Sequence, residues 1–470
     1  MTSGREPAHS ALELSSRTPV AGPRSDGPDD FTNFPDRALW GEDSRLTVLM
    51  RALALLGVLL AQAKPGGNSN PGAGPWTAPL LDEKSYKKWS EFIRPSEPEL
   101  KWKKIPWRTD LVAAAAEAKA LNRPILLWSD QGNPLGLVDM APSINTVISR
   151  QQVWSDDEIQ KIAANFLPVV AEVWTLATGT SAASEWFHKA GGPTEGGRAH
   201  GLYCFTPDGK GLGFQFISRP KEPCLKLLQD ALKKWNEEAV AKKLAPKPLP
   251  ALKSKETWPD LAAKPGLLLV VHARDLPRGA VQHPGKTPED QGMWNHLFLS
   301  LDEKEMVQLL PQGGPKSEVS AELLKKLFRR SFGDFAHGNN GGYRTPDAFK
   351  KLSLVAENVS VKEPLVTVRF TGEVSVEEGT EKYDAKTHGK QLAITGDHRI
   401  DQEGLYGFEG KLYGKAVYHE AAKKFVHFEL VAAGTRKGLR DKDDYQPAPI
   451  GYAFTIEGQD DKAEKKGSKP

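Results

Sequence analysis

Cysteine is scarce in this chain of 470 residues. It occurs only at Cys204 and Cys224, which excludes a disulfide framework and a zinc site built on cysteine ligands. Neither sign of charge dominates, because the chain has 63 Lys and Arg residues and 60 Asp and Glu residues, a formal net charge of +3. Proteins that bind nucleic acid or anionic membranes carry a clear basic excess. We therefore expect no nucleic-acid partner.

The chain also has no apolar run in its N-terminal part that is long enough to cross a bilayer, since Leu53–Leu60 is too short. Arg51 precedes this run and an Ala-Gln-Ala sequence follows it, an order typical of a secretory signal. Met50 directly precedes Arg51. We expect residues 50–63 to be a signal peptide, the protein to be exported (periplasmic or extracellular), and no stable membrane insertion after cleavage. The alternative is a cytosolic protein with an apolar helix at this position.

The main structural prediction concerns a short strand and the loop that follows it. Ile125–Trp128 has the length and composition of a buried strand, and it leads into the Gly/Asn/Pro loop Gln131–Gly136. A helix is predicted before the strand, over Asp110–Leu121, with Thr109 or Asp110 as its N-cap. The elements predicted after the loop are a helix opened by the capping box Ser155 to Glu158, strands at Phe166–Val173, Leu202–Phe205 and Leu212–Phe216, and a helix that begins near Pro223.

This order of helix, strand, loop, helix, strand, β-hairpin and helix resembles the thioredoxin fold from about Trp107 to Val240. The strand entry Asn-Phe-Leu-Pro-Val at 165–169 is similar to that of a secreted thioredoxin-like subgroup. In the family, the central strand delivers a Cys-x-x-Cys pair to a helix N-terminus. The four positions here are Gly132, Asn133, Pro134 and Leu135. The resemblance therefore implies a thioredoxin-like domain without dithiol exchange, because that chemistry needs a low-pKa thiolate.

The resemblance also predicts where a partner binds. It places His200 or Gly201 where the family's cis-proline faces the motif. We expect the loop residues Gln131, Gly132, Asn133, Pro134 and Leu135, together with His200, to form a binding surface for a protein or peptide, with no catalytic residues and no cofactor. Asp130 and Asp139 flank the loop, and a solvated carboxylate is the simpler interpretation of each.

The two cysteines leave alternatives open. Cys204 lies in a predicted strand and Cys224 in the first turn of the closing helix. They are either a disulfide of an exported protein or two buried thiols that behave as small apolar groups. A thiol-disulfide oxidoreductase that uses Cys204 and Cys224 is the alternative function. A structural cell-envelope protein, in which the domains act as spacers, is a further one.

The C-terminal part alternates with the period of a half-buried sheet, as at Val366, Val368 and Phe370. His419 and His427 flank a predicted hairpin turn, but a third ligand is missing, so we expect no metal and a solvated His427.

The fold class is α+β multidomain, a thioredoxin-like α/β domain followed by a mixed α+β segment and an antiparallel β domain. The predicted parts are an N-terminal extension that is either disordered or not native to the protein (1–49), the signal peptide (50–63), a linker with a Trp-rich approach (64–106), the thioredoxin-like domain (107–242), a Pro/Lys-rich linker (243–260), the α+β segment (261–348), the antiparallel β domain (349–458) and a charged tail (459–470).

Overall fold

The computed structural model describes ten stretches of the chain. They are residues 81–136, 142–242, 244–250, 266–276, 293–329, 331–332, 335–337, 346–379, 405–437 and 448–456. All of them belong to one compact unit, Asn70–Pro470. The predicted extension 1–49, the signal peptide 50–63 and the tail 459–470 lie outside the described residues. The described part contains helices and two sheets, which confirms the α+β class.

The first sheet has four strands in the order β2-β1-β3-β4. These strands are β1 (Ile125–Asp130), β2 (Leu167–Glu172), β3 (Gly201–Phe205) and β4 (Gly211–Phe216). The central strand β1 runs parallel to β2 and antiparallel to β3, and β3 pairs antiparallel with β4. The four strands predicted in this region are confirmed. The turn between β3 and β4 is also where the sequence predicts it, closed by a hydrogen bond from Gly209 N to Thr206 O.

Helices lie on both faces of this sheet and before it. They are α1 (Tyr86–Ile93), α2 (Leu111–Leu121), α3 (Ile144–Gln152), α4 (Asp157–Ala163), α5 (Val173–Thr178), α6 (Ala182–Lys189) and α7 (Lys221–Ala241), with 3₁₀ helices at Pro98–Lys104 and Gly196–Arg198. Asp110 caps α2, because its carboxylate accepts from the N–H groups of Val112 and Ala113. The predicted capping box begins one residue too early, since Asp156 is the N-cap of α4.

The core of the first sheet has two sides. One side packs Trp107, Trp128 and Trp154 against one another, with ring centroids 4.9–5.5 Å apart, and α7 covers it. The other side buries Leu127, Val169 and residues of α2, α5 and α6. The all-buried pattern of β1 follows from this cover on both faces.

The second sheet has eight strands in the order β6-β5-β12-β11-β10-β9-β8-β7, and every pairing is antiparallel. Its strands are β5 (Leu267–Asp275), β6 (Trp294–Leu301), β7 (Lys316–Glu318), β8 (Phe349–Lys362), β9 (Leu365–Gly379), β10 (Leu405–His419), β11 (Lys424–Lys437) and β12 (Ala448–Ile456). The remaining helices are α8 (Glu303–Val307) and α9 (Ala321–Phe328), with 3₁₀ helices at Phe335–His337 and Pro346–Ala348. Because β5 pairs with β12, the predicted segments 261–348 and 349–458 share one sheet and one core.

Both faces of the second sheet are also covered in part. Helix α9 packs in the core on one face. On the other face, Tyr86, Trp89 and Ile93 of α1 pack against residues of β10, β11 and β12. His427 is 8% exposed, so the expectation that it is solvated was wrong. Alternation along β11 assumes that one face is in contact with water, whereas here helices pack on both faces, α9 on one and α1 on the other.

Candidate functional site

The carboxyl end of β1 lies in the middle of one rim of the first sheet. Asp130 stands opposite Glu172 of β2, and Ser129 stands opposite Gly201 of β3. Gly201 in turn faces Phe216 of β4. Ligands of open α/β sheets bind at the carboxyl ends of parallel strands, and this rim carries the carboxyl ends of β1 and β2.

The Asp130 carboxylate is buried, with 2% of its side chain exposed. Its Oδ1 accepts from Gln131 N at 2.8 Å, from Ser143 Oγ at 2.9 Å and from His200 Nδ1 at 3.0 Å. A buried carboxylate with three donors is held firmly in place. The interpretation of Asp130 as a solvated group was therefore wrong. Asp139 lies outside the described residues.

His200 is a polar residue of this rim that a solute can reach. It directly precedes β3, and 16% of its side chain is exposed. Nδ1 donates to Asp130, and Nε2 hydrogen-bonds to none of the described residues. This pairing fixes the tautomer and leaves Nε2 able to accept a hydrogen bond. The hydroxyl of Ser143 donates to the carboxylate and not to the imidazole, so the order of a Ser-His-Asp triad is not formed.

The loop 131–136 is folded tightly and faces inward. Gly132, Asn133 and Gly136 have φ values of 79°, 52° and 78°, and Gly136 N donates to Asn133 O. Leu135 is 2% exposed and Asn133 is 8% exposed. A Cβ atom on Gly136 would lie 3.1 Å from His296 Nε2 of the second sheet. The structure therefore places Gly132, Asn133, Pro134 and Leu135 against β6 and not on an open surface, whereas Gln131 is half-buried and His200 keeps its exposure.

Arg150 of α3 holds this loop from behind. Its Nε and Nη2 donate to the carbonyl oxygen of Pro134 at 2.9 and 2.5 Å, and its Nη1 donates to Asn295 Oδ1 at 3.0 Å. Its guanidinium carbon lies 4.7 Å from the ring centroid of Trp102. These contacts satisfy a cation that is only 1% exposed.

His296 of β6 completes the contact. Its Nε2 lies 3.0 Å from Leu135 O, and its Nδ1 lies 3.3 Å from Nη1 of Arg150. The ring stacks on Trp102 with centroids 6.0 Å apart, and His272 of β5 lies 5.9 Å away. We call the set that joins the two sheets the interface cluster. It comprises Trp102, Arg150, His272, Trp294, Asn295 and His296.

Burial sets the charge state of the interface cluster. It lowers the pKa of Arg150 to about 9, with the Asp130 carboxylate opposing the shift. The pKa values of His272 and His296 are lowered well below 6.5, first by burial and then by nearby cations. Both imidazoles are therefore neutral at pH 7, while the guanidinium is charged.

The two cysteines are free thiols in the structure and not the disulfide that was one of the alternatives. Both Cys204 and Cys224 are 0% exposed. Burial raises the pKa of Cys224 to about 12 and that of Cys204 still further. Neither group meets the requirement of an accessible, low-pKa thiolate.

No group of three or more His, Cys, Asp or Glu side chains in the described ranges is arranged to hold a metal ion, and His419 Nδ1 accepts from Ala422 N. No helix in these ranges has both the length and the apolar character for crossing a membrane. An open groove of about 750 Å³ lies along α7, lined by side chains such as Ile162, Leu232 and Val240, and neither loop 131–136 nor His200 borders it.

Sequence reasoning did not identify Arg150, Asn295 or the role of His296. Arg150 lies in residues 137–153, for which no helix was predicted. A buried arginine has no signature in a single sequence, because its partners here include the carbonyl group of Pro134 and a side chain 145 residues away.

No protein-family model, no curated protein and no solved structure matches this chain.

Proposed function

We propose that this chain is an exported, thioredoxin-like protein that binds a protein or peptide and does not exchange thiols for disulfides. The observation that carries the proposal is the position of loop 131–136 at the end of the central strand of a mixed sheet. That is where the family places its cysteine pair, and here Gly132 and Leu135 occupy the two cysteine positions. Export rests on the sequence pattern of residues 50–63.

The state of the two cysteines supports the non-catalytic part of the proposal. An oxidoreductase that used Cys204 and Cys224 would need at least one thiolate in contact with its substrate. Both thiols lie in the core, that of Cys204 on β3 and that of Cys224 on α7. Insulin reduction with dithiothreitol tests this part. We expect insulin to be reduced no faster with the protein than without it. Turnover that disappears in Cys224→Ser would overturn the non-catalytic part of the proposal.

Because loop 131–136 is buried, we place the proposed binding surface on the open side of the rim. The exposed aromatic side chains of this part are Phe214 and Phe216 of β4, the strand that pairs with β3, and Trp174 at the start of α5, at 38%, 50% and 40% exposure. β4 is one of the two edge strands of the first sheet in the described chain. An extended peptide with apolar side chains at alternate positions can pair with such an edge and place those side chains on the aromatic rings.

A displayed library of random peptides tests the binding. We expect enrichment of extended apolar peptides with micromolar affinity by fluorescence anisotropy, and at least a tenfold loss in Phe216→Ser, about 1.4 kcal/mol. Val361→Ser is the matched control, because Val361 is also an apolar strand residue and is 60% exposed in the second sheet. The proposal fails if no peptide is enriched, or if Phe216→Ser and Val361→Ser bind as the unaltered protein does.

One observation favours a structural role as the second candidate. The loop that would meet a partner in the family instead joins the two sheets of this chain through Arg150 and His296. A spacer needs such rigidity and needs no partner at the rim. In that case the peptide screen gives no binder, while disruption of the interface cluster lowers the unfolding temperature of the whole unit.

A further inference from the structure

Two backbone carbonyl groups of loop 131–136 contact the interface cluster, while Gln131 O at the start of the loop accepts from Ser143 N. Pro134 O accepts from Arg150, and Leu135 O lies 3.0 Å from Nε2 of His296. Arg150 and His296 also touch each other, with Nη1 3.3 Å from Nδ1. The attachment of the loop to β6 therefore depends on one cation and one imidazole that are in contact.

The geometry defines a single protonation state for His296. A carbonyl oxygen only accepts, so Nε2 carries the proton that it donates to Leu135 O. Nδ1 then has the lone pair that accepts from Arg150. A second proton on the ring would give Nδ1 an N–H directed at an N–H of Arg150. One proton would thus replace a hydrogen bond with a contact between two donors that are both positively charged.

The hydrogen bond to Leu135 O favours a charged His296, but burial and the neighbouring cations oppose it and lower the pKa of the ring. His272 lies beside His296, and its buried Nδ1 has no hydrogen-bond partner among the described residues. The charged groups that face the two imidazoles are Arg150 from α3, Arg274 from β5, Lys103 from the 3₁₀ helix before the first sheet and Arg94 from the end of α1. Glu99 accepts from Arg274. In the described chain no carboxylate hydrogen-bonds to either imidazole.

We propose that protonation of His296, assisted by His272, detaches loop 131–136 from β6, so that acid exposes the loop that neutral conditions keep buried. The detachment does not depend on the proposed function. Binding of a protein or peptide to the exposed loop does rest on the proposed function. The rim around His200 would then be extended by the four residues that the family uses for its motif.

Hydrogen exchange read by mass spectrometry on the full chain tests the detachment. Samples are labelled at pH 7.5 and pH 5.0, with labelling times scaled so that intrinsic amide exchange is equal. We expect exchange in peptides that cover Gln131–Gly136 to rise at least tenfold at pH 5.0, with no such rise in peptides from β9 and β10. An equal rise throughout the chain, or no rise in the loop, would overturn the proposal.

Variants separate the titration from other effects of acid. His296→Gln keeps one donor and one acceptor but does not titrate, so the pH response of the loop should be lost. His188→Gln is the control, because His188 bonds to Ala177 O outside the interface cluster, and it should respond as the unaltered protein does. If His296→Gln does not fold, His272→Gln must reduce the pH response, and an unchanged response refutes the proposal. Loop exposure without peptide binding would contradict only the proposed function.

Discussion

Arg274 of β5 places one guanidinium nitrogen 2.9 Å from both carboxylate oxygens of Glu99. The side chains are 3% and 13% exposed, so the pair lies largely out of water. Glu99 belongs to the 3₁₀ helix that precedes the first sheet, and Arg274 belongs to the second sheet. This ion pair is thus a second connection between the two halves of the unit, in addition to the interface cluster.

Glu99→Gln should destabilise the protein by about 2–4 kcal/mol, because it removes the carboxylate that faces a buried guanidinium. Urea unfolding followed by tryptophan fluorescence gives the change. Lys226→Gln provides the control, since Lys226 pairs with Asp230 at an exposed i,i+4 position of α7 and such pairs contribute little. Equal midpoints for both variants would show that the Glu99 pair is no stronger than a surface pair.

Asp130→Ala should lower the free energy of unfolding by about 2–4 kcal/mol. The substitution leaves the hydroxyl of Ser143 and the ring N–H of His200 without their buried acceptor. Asp110→Ala is matched in chemistry but removes only an exposed helix cap, which is worth about 1 kcal/mol. Thermal and urea unfolding of the two variants should rank them in this order, and the reverse ranking would contradict the role given to Asp130.

Stability should fall as the pH drops below about 6.5, the value for an unperturbed histidine. The pKa values of His272 and His296 are lowered in the folded state by burial and by nearby cations, so the unfolded chain binds more protons in this range. Their contribution is fully present above pH 6.5 and is lost on acidification, at up to about 1.4 kcal/mol per pH unit for each histidine. Urea midpoints at pH 5.0 to 8.0 measure the slope.

The double variant His272→Gln/His296→Gln should flatten this slope, whereas His188→Gln should leave it unchanged. A slope in the double variant as steep as in the unaltered protein would assign the acid sensitivity to other groups.

Neither cysteine should react in the folded protein. With the pKa of Cys224 raised to about 12 by burial, its thiolate fraction at pH 8 is about a thousandfold below that of a free cysteine. Labelling with a thiol reagent such as Ellman's reagent should be negligible in buffer and should reach two thiols per chain in 8 M urea, roughly the concentration that unfolds most domains. Rapid labelling of one thiol in buffer would contradict the burial of Cys204 and Cys224.

The sequence predicted those elements whose evidence is local. β1 and α2 show their length, apolar content and cap within a dozen residues, and both are where we expected them. Helix α3 was missed because its buried face carries Thr146, Ser149 and Arg150 in place of apolar residues. Ser149 and Arg150 bond to Ser218 and Asn295, which lie far along the chain and leave no trace in the local periodicity.

The same limit explains the errors at the site. The inward position of Leu135 depends on His296, and the burial of His427 depends on the cover that α1 gives to one face of the second sheet. In each case a segment distant in the chain occupies the surface that local alternation assigns to water. Prediction from one sequence determines which side chains share a face, but not which segment packs against that face.

The pairing of β12 between β11 and β5 sets an order on assembly. The strands β5 and β6 are synthesised before β12. They cannot join the sheet until β12, which begins about 170 residues after β5 ends, has left the ribosome. Nascent chains that stop before Ala448 lack the strand that pairs with the free edge of β5, a state prone to aggregation. The strand made last in the second sheet is therefore the one that joins β5 and β6 to the rest of it.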